Sequence, residues 1–246
     1  MKILVCISNV PDTTTKINFN DDNKSLKTDG VQFIINPWDE MALSRAIEIA
    51  TEKSGTVTVI NVGEATTEPT IRKALAIGAN DAIRVNSHPH DAFFVATEIA
   101  NAVKDGGYDL ILTGRESIDF NGSQVDGMLA ELLGLPSVSA CKSLKLMDDN
   151  NAELDREIEG GKQTLTCPLP MVVSATEGMA EPKIPNMRGI MSARTKPLTV
   201  VEPSGASAQT EVLKFDKPPV RSEVKLVDEN DMDELVNLLH TEAKVI

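Results

Sequence analysis

Between residues 1 and 134, short apolar runs rich in β-branched residues alternate with segments whose apolar positions recur at helical spacing, and no other feature narrows the fold as far. "KILVCIS" (2–8), "TVTVINVG" (56–63), "DAIRVN" (81–86) and "YDLILTG" (108–114) read as buried strands: brief, continuous and without polar alternation. The intervening stretches read as helices. In "NPWDEMALSRAIEIATEKSG", Asn36 suits the N-cap and Pro37 the first helical position. Asp39 and Glu40 favour the positive end of the dipole, and Gly55 is expected to end the helix. "EPTIRKALAIGAN" (68–80) and "HDAFFVATEIANAVKDGG" (90–107) follow the same logic. Strand–helix alternation of this kind specifies an α/β fold: a doubly wound, mostly parallel sheet with helices on both faces and right-handed crossovers.

The rhythm departs from this pattern in two places. "KINF" and "GVQFII", either side of "NDDNK", are expected to form a hairpin. Beyond residue 134, "KSLKLMDDNNAELDREIEGGKQTLTC" predicts an antiparallel ribbon turning at "DDNN" and "EGGK", and "PMVVSAT" (170–176) a last buried strand. "EPKIPNMRGIMSARTKP" (181–197) holds three prolines and shows no period. After the flexible "GASAQ" (205–209) the chain ends in an amphipathic helical pattern, "DENDMDELVNLLHTEAKVI". The expected organisation is an α/β domain over about 1–200 and an extended C-terminal arm over 201–246. The arm is too short to fold alone and must lie on its own domain or on another chain.

In an open parallel sheet, ligands bind outside the carboxyl ends of the strands. Three such ends are equipped here: "SNVPD" (8–12), "VGEA" (62–65) and "TGRESIDFNGSQ" (113–124), beside the Asn36–Pro37 helix start. In the third, Gly122, Ser123, Gln124 and Val125 are expected to open a helix. Their N–H groups would lack intrahelical partners and sit at the positive dipole end, where a phosphate can be held without a lysine. Simple capping is the competing reading, because Ser123-x-x-Asp126 fits a capping box. Asp119 and Asn121 suit either contacts to a ribose or base, or Asx turns. No G-x-G-x-x-G and no P-loop follows the first strand.

Other chemistries have less support. The net charge of −13 disfavours nucleic acid, which selects basic surfaces, and the 3% aromatic content disfavours a single-strand stacking platform. Cys6, Cys141 and Cys167 have no metal or disulfide spacing. His88 and His90 have no cysteine or carboxylate cluster at suitable spacing, and no G-x-S-x-G elbow is present. The apolar start is too short for a secretory signal, and no run reaches membrane-spanning length. A cytoplasmic, reducing compartment is expected, with the chain not itself a membrane protein. Residues 181–197 concentrate Lys183, Arg188, Arg194 and Lys196 among Ile184, Met187, Ile190 and Met191. That mixture suits either an adaptable docking surface or a loop tucked on the core.

"NPWDEMALSRAIEI", "IRKALAIGANDAIRV", "DLILTGRESIDFNGSQVDGMLAELLGLP" and "LPMVVSATEGMAEPKIPNMRGIM" together resemble the beta subunit of electron-transfer flavoproteins, in order and over nearly the whole chain. The resemblance implies an alpha–beta heterodimer whose alpha subunit mainly holds the redox-active FAD, and a beta subunit that buries a structural AMP and does no bond-making chemistry. It implies AMP contacts at Cys6; at Asn36, Pro37, Trp38 and Asp39; at Val62; and along Gly114, Arg115, Glu116, Ser117, Ile118, Asp119, Phe120, Asn121, Gly122, Ser123, Gln124 and Val125. Thr13, in "VPDTTT", would lie nearest the alpha-subunit flavin. Ile184, Met187, Arg188, Ile190 and Met191 would dock flavin dehydrogenases such as acyl-CoA dehydrogenases, with a quinone oxidoreductase as the electron acceptor. Met187 stands where the family carries its anchoring leucine, and Ser192 and Thr195 where some relatives carry lysines. A bifurcating subgroup binds a second FAD in place of AMP and takes electrons from NADH. "VPDT" (10–13) resembles that subgroup's loop, but "CISN" (6–9) departs from its pattern, which favours AMP.

Overall fold

The computed structural model describes residues 1–148, 150–220 and 224–246. Among the described residues, nine strands form the main sheet, in the order β11-β5-β4-β1-β6-β10-β7-β8-β9. They are β1 (Lys2–Cys6), β4 (Thr56–Val62), β5 (Asp81–Val85), β6 (Leu110–Gly114), β7 (Ser137–Leu146), β8 (Asn151–Ile158), β9 (Gly161–Pro168), β10 (Met171–Ala175) and β11 (Leu198–Val201). All neighbours from β11 to β7 are parallel, and β7, β8 and β9 form the antiparallel ribbon. Successive side chains of a strand face opposite ways. Accordingly Ile3 and Val5 enter one core, beneath α1 (Pro37–Glu52) and α2 (Glu68–Ile77). Leu4 and Cys6 enter the other, beneath α3 (Ala92–Val103) and α4 (Val125–Leu133). The doubly wound α/β expectation is met.

From β1 the chain moves outward to β4 and β5, then returns to lay β6 on the other side of β1. The winding therefore reverses at β1, and the crevice above its carboxyl end, between β4 and β6, is the topological switch point.

Several local expectations are corrected. The hairpin between "KINF" and "GVQFII" does not form. Instead β3 (Phe33–Ile35) pairs antiparallel with β2 (Asn9–Pro11), and the stretch near residue 19 keeps a single bridge, Phe19–Leu26. Burial decides this, because pairing with β2 carries Val10 and Ile35 wholly into the core. Gly55 does not supply the left-handed end of α1; Ser54 does, at φ +49°. Gly55 is required instead by the Met1 carbonyl, which a Cβ there would strike. Within 181–197 a seven-residue helix, α5 (Met187–Ala193), is capped by Asn186, whose side chain accepts from Gly189 N. Strand β11 extends the sheet beside β5.

Beyond β11 the described residues carry no helix or strand until α6 (Met232–Leu238). The arm nonetheless has defined anchors. Glu98, buried on α3, accepts from Ser204 N and Oγ and from Ala206 N. Asp91 caps α3 through Phe94 N and also accepts from Gln209 N and Thr210 N. Further along, Val220, Val224 and Leu226 are exposed apolar residues. Among the described residues, no helix is long and apolar enough to cross a membrane.

Candidate functional site

The residues expected to bind a ligand converge on the switch-point crevice. Strand β1 ends at Cys6, and Ser8 follows it; β4 ends at Val62; β6 ends at Gly114; and the start of α1 lies among them. Cys6 and Val62 line the core beneath α3 and α4, and burial raises the Cys6 thiol well above its ordinary pKa, with the Asp39 carboxylate adding to the rise. Asp39 is the organising group. Its two carboxylate oxygens accept from Ser8 N at 2.7 Å and from Gly114 N at 2.8 Å, so one side chain ties the ends of β1 and β6 to the first turn of α1. Burial pushes its pKa up to about 7, against the opposing pull of those N–H bonds.

Asn36 corrects the capping expectation. It occupies the N-cap position, but its side chain makes no cap bond. Fully buried, it reaches the loop after β6, donating from Nδ2 to Glu116 O at 2.8 Å and accepting at Oδ1 from Ile118 N at 3.2 Å. Pro37 opens the helix, and Trp38 receives the Arg115 guanidinium over its ring at 5.2 Å, while Arg115 pairs with Glu116 at 2.9 Å. Gly114 is required by packing: a Cβ there would lie 2.6 Å from Trp38 Cβ and 2.9 Å from Asp39 N.

The loop from Arg115 to Gln124 turns its side-chain bonds inward. Ser123 Oγ donates to Arg115 O at 2.9 Å, Asp119 accepts from Phe120 N, and the Asn121 side-chain amide faces Ser117 O and Ile118 O. The capping box does not form. Helix α4 begins at Val125 rather than Gly122, Gln124 stands at its N-cap position without a side-chain cap bond, and Asp126 is buried and accepts from Ser139 Oγ on β7. Asn121 and Ser123 both sit at φ +50°, a left-handed conformation that costs a non-glycine residue roughly 1–2 kcal/mol. Among the described residues, no acceptor takes the N–H groups of Gly122, Ser123, Gln124 or Val125, and the first three of these residues are exposed. Four successive unpaired amides at the mouth of a nine-residue helix are what an anionic group selects. The self-capping expected of this segment does not form, and its amides are left open to a small anion.

Thr13 lies apart from this cluster. It is exposed in the turn after β2, where Asp12 accepts from Thr14 N and Oγ1. Ile184, Met187, Arg188, Ile190 and Met191 form a separate exposed knuckle on and before α5, with Ile184 91% exposed. Its fixation is reciprocal. Arg72 on α2 donates to Ala193 O and Lys196 O at the end of α5, and Lys196 Nζ donates to Leu75 O and Ala79 O at the end of α2. Gly189 lets α5 press against Ala76 O. Sequence reasoning missed both braces, because each joins residues more than a hundred positions apart. Among the described residues, no group of three or more His, Cys, Asp or Glu is placed to hold a metal ion.

The sequence profile of the electron transfer flavoprotein domain matches residues 24–206. The chain is 33% identical over 260 residues to the electron transfer flavoprotein subunit beta of Bacillus subtilis (strain 168), with all of both chains covered. It is 31% identical over 258 residues to the mitochondrial electron transfer flavoprotein subunit beta of Arabidopsis thaliana, again over all of both chains. Against the electron transfer flavoprotein subunit beta of Homo sapiens it is 31% identical over 232 residues, 90% of this chain and 91% of the relative. By likeness along its entire length, this chain belongs to the electron transfer flavoprotein beta-subunit family.

Proposed function

We propose that this chain is the beta subunit of an alpha–beta electron carrier, and that its own ligand is a structural AMP held in the switch-point crevice. The observation that carries the reading is the row of unpaired amides at Gly122–Val125, presented by a loop that Asn36 fixes from below. These amides hold the phosphate. Cys6, Asn36–Asp39, Val62 and the segment Gly114–Asn121 wall the nucleoside. The carboxyl of Asp39 is buried and committed to two N–H groups, which suits a structural role in the crevice. AMP bound only by the folded state raises stability by RT ln(1 + [AMP]/Kd).

FAD, held mainly by the alpha subunit, supplies the redox chemistry when bound. This chain contributes a wall near Thr13, the docking knuckle at Ile184–Met191 and the scaffold for both. Residues 1–200 form the nucleotide-binding domain; of the arm at 201–246, the part up to Lys217 is seated on this chain and the part beyond lies on the alpha subunit, which covers its exposed Val220, Val224 and Leu226. Flavin dehydrogenases, those of fatty acid oxidation among them, deliver electrons through the knuckle, and a quinone oxidoreductase receives them. The three buried free thiols suit a cytoplasmic setting.

The test is co-expression with the alpha partner, denaturation of the purified pair, and mass identification of the released nucleotides with flavin counted by absorbance. One FAD and one AMP per pair is the expected result. Two FAD and no AMP would replace this reading by the bifurcating one, with NADH as donor.

A further inference from the structure

Three of the six phenylalanines in this aromatic-poor chain meet at one surface point. Phe19 comes from the turn closed by the Phe19–Leu26 bridge, Phe120 from the crest of the β6–α4 loop, and Phe215 from the arm. The rings of Phe19 and Phe215 stack at 5.1 Å with planes 11° apart, and Phe120 leans on Phe215 at 6.4 Å and 60°. Polar contacts hold the arm in the same place. Phe215 N donates to Asn23 O at 2.7 Å, Lys217 Nζ donates to Asn18 Oδ1 at 2.6 Å, and Lys24 pairs with Glu211 at 3.5 Å.

Phe120 is 67% exposed even with this contact, so its own loop does not bury it. Its neighbour Asn121, and Ser123 two positions on, are the left-handed residues on either side of Gly122, within the row of amides that no acceptor among the described residues takes. That conformation is costly in itself and persists only where the surroundings hold it. Asn36 holds the loop at 116–118, below the strained segment, and Ser123 Oγ ties back to Arg115. The outer side of the crest is held by Phe215.

We infer that Phe19, Phe120 and Phe215 form a clasp by which the seated arm keeps the loop in its phosphate-binding shape, so that Phe215 is a positioning residue for the adenylate. This rests on the nucleotide reading above. The coupling is reciprocal by necessity: a bound adenylate also tightens the arm on the 18–26 turn. The arm that reaches the alpha subunit and the loop that holds AMP are then one thermodynamic unit, and nucleotide retention reports subunit assembly.

The experiment uses the purified heterodimer and measures exchange of bound AMP against isotopically labelled AMP by mass. Phe215→Ala removes both aromatic contacts, and exchange is expected to quicken about 5- to 10-fold, the scale of lost aromatic pairs. Phe215→Tyr keeps the ring and should stay within about two-fold of the natural protein. Phe19→Ala, on an exposed turn, removes only the supporting stack. It should give an intermediate rate, and it serves as the decisive variant if Phe215→Ala fails to assemble. Bound AMP that exchanges at the natural rate in these variants overturns the clasp and leaves the nucleotide reading standing. A natural heterodimer without AMP overturns both.

Discussion

Gly114→Ala tests the geometry of the crevice by adding one methyl group where three elements meet. The new Cβ would collide with Asp39 Oδ1, stand 2.6 Å from Trp38 Cβ and lie 2.9 Å from Asp39 N. The last two are parts of the first turn of α1 that no rotamer change can move. Relief therefore requires the end of β6 to part from α1, and that motion breaks the 2.8 Å bond from Gly114 N to Asp39. Overpacking a core costs about 1–3 kcal/mol, and the hydrogen bond to Asp39 is worth about 0.5–3 kcal/mol, the upper part of that range where its carboxyl is ionised. The two costs overlap, because the shift that relieves the clash is the one that breaks the bond, so a net loss of roughly 2–4 kcal/mol is expected. For a chain of this size that corresponds to a fall in Tm of roughly 4–16 °C. The assay is thermal unfolding of the assembled protein at fixed concentration, with Gly161→Ala, in the β8–β9 ribbon away from the crevice, as control. A Cβ at Gly161 meets nothing within 4 Å, so the control should stay within about 0.5 kcal/mol of the natural protein. Equal melting of Gly114→Ala and Gly161→Ala would refute the claim that Asp39, Trp38 and Gly114 form one tightly packed joint.

Three further outcomes are expected. Asn36→Ala removes both bonds to the loop, costing about 2–4 kcal/mol, and should lower the AMP recovered after denaturation; full AMP occupancy would count against the tether. Asp39 is held protonated to higher pH in the fold than in the open chain, so its contribution is fully present below about pH 4 and is lost as pH rises toward about 7. Denaturant unfolding across that window should show the fall, Asp39→Asn should flatten it, and parallel curves for the two proteins would contradict the assignment. Arg72→Ala removes the bonds that brace α5 and, on the docking role proposed above, should raise the KM of a flavin dehydrogenase for this carrier several-fold at unchanged kcat. Arg72→Lys should rescue this only in part, since an ammonium cannot reproduce the guanidinium fork; a change in kcat alone would speak against a docking role.

What the sequence disclosed and what it hid divide by the range of the interaction concerned. Strands β1, β4, β6 and β10 were legible because burial on both faces leaves a continuous apolar run, and the β7–β9 ribbon because its turns are marked by "DDNN" and "EGGK". Strand β11 was not, being a four-residue edge strand of mixed exposure. Helix α5 was hidden among prolines and is stabilised by Arg72, which sits on another helix. Asn36 and Ser123 carried the right residue types for caps, and local pattern could not show that their side chains had other partners: Asn36 bonds a loop 80 residues away. Asp126 was likewise claimed by Ser139 of the next strand. The location of the crevice was readable from strand ends and helix starts. Its joint, Asp39 between Ser8 and Gly114, became visible only once β1 and β6 were neighbours.

The most direct measurement is an electron density map of the heterodimer at the mouth of α4. The account predicts an adenylate phosphate with oxygens within about 2.7–3.2 Å of the N–H groups of Gly122 to Val125. Density there explained by water alone, or by a side chain of either subunit, would contradict it.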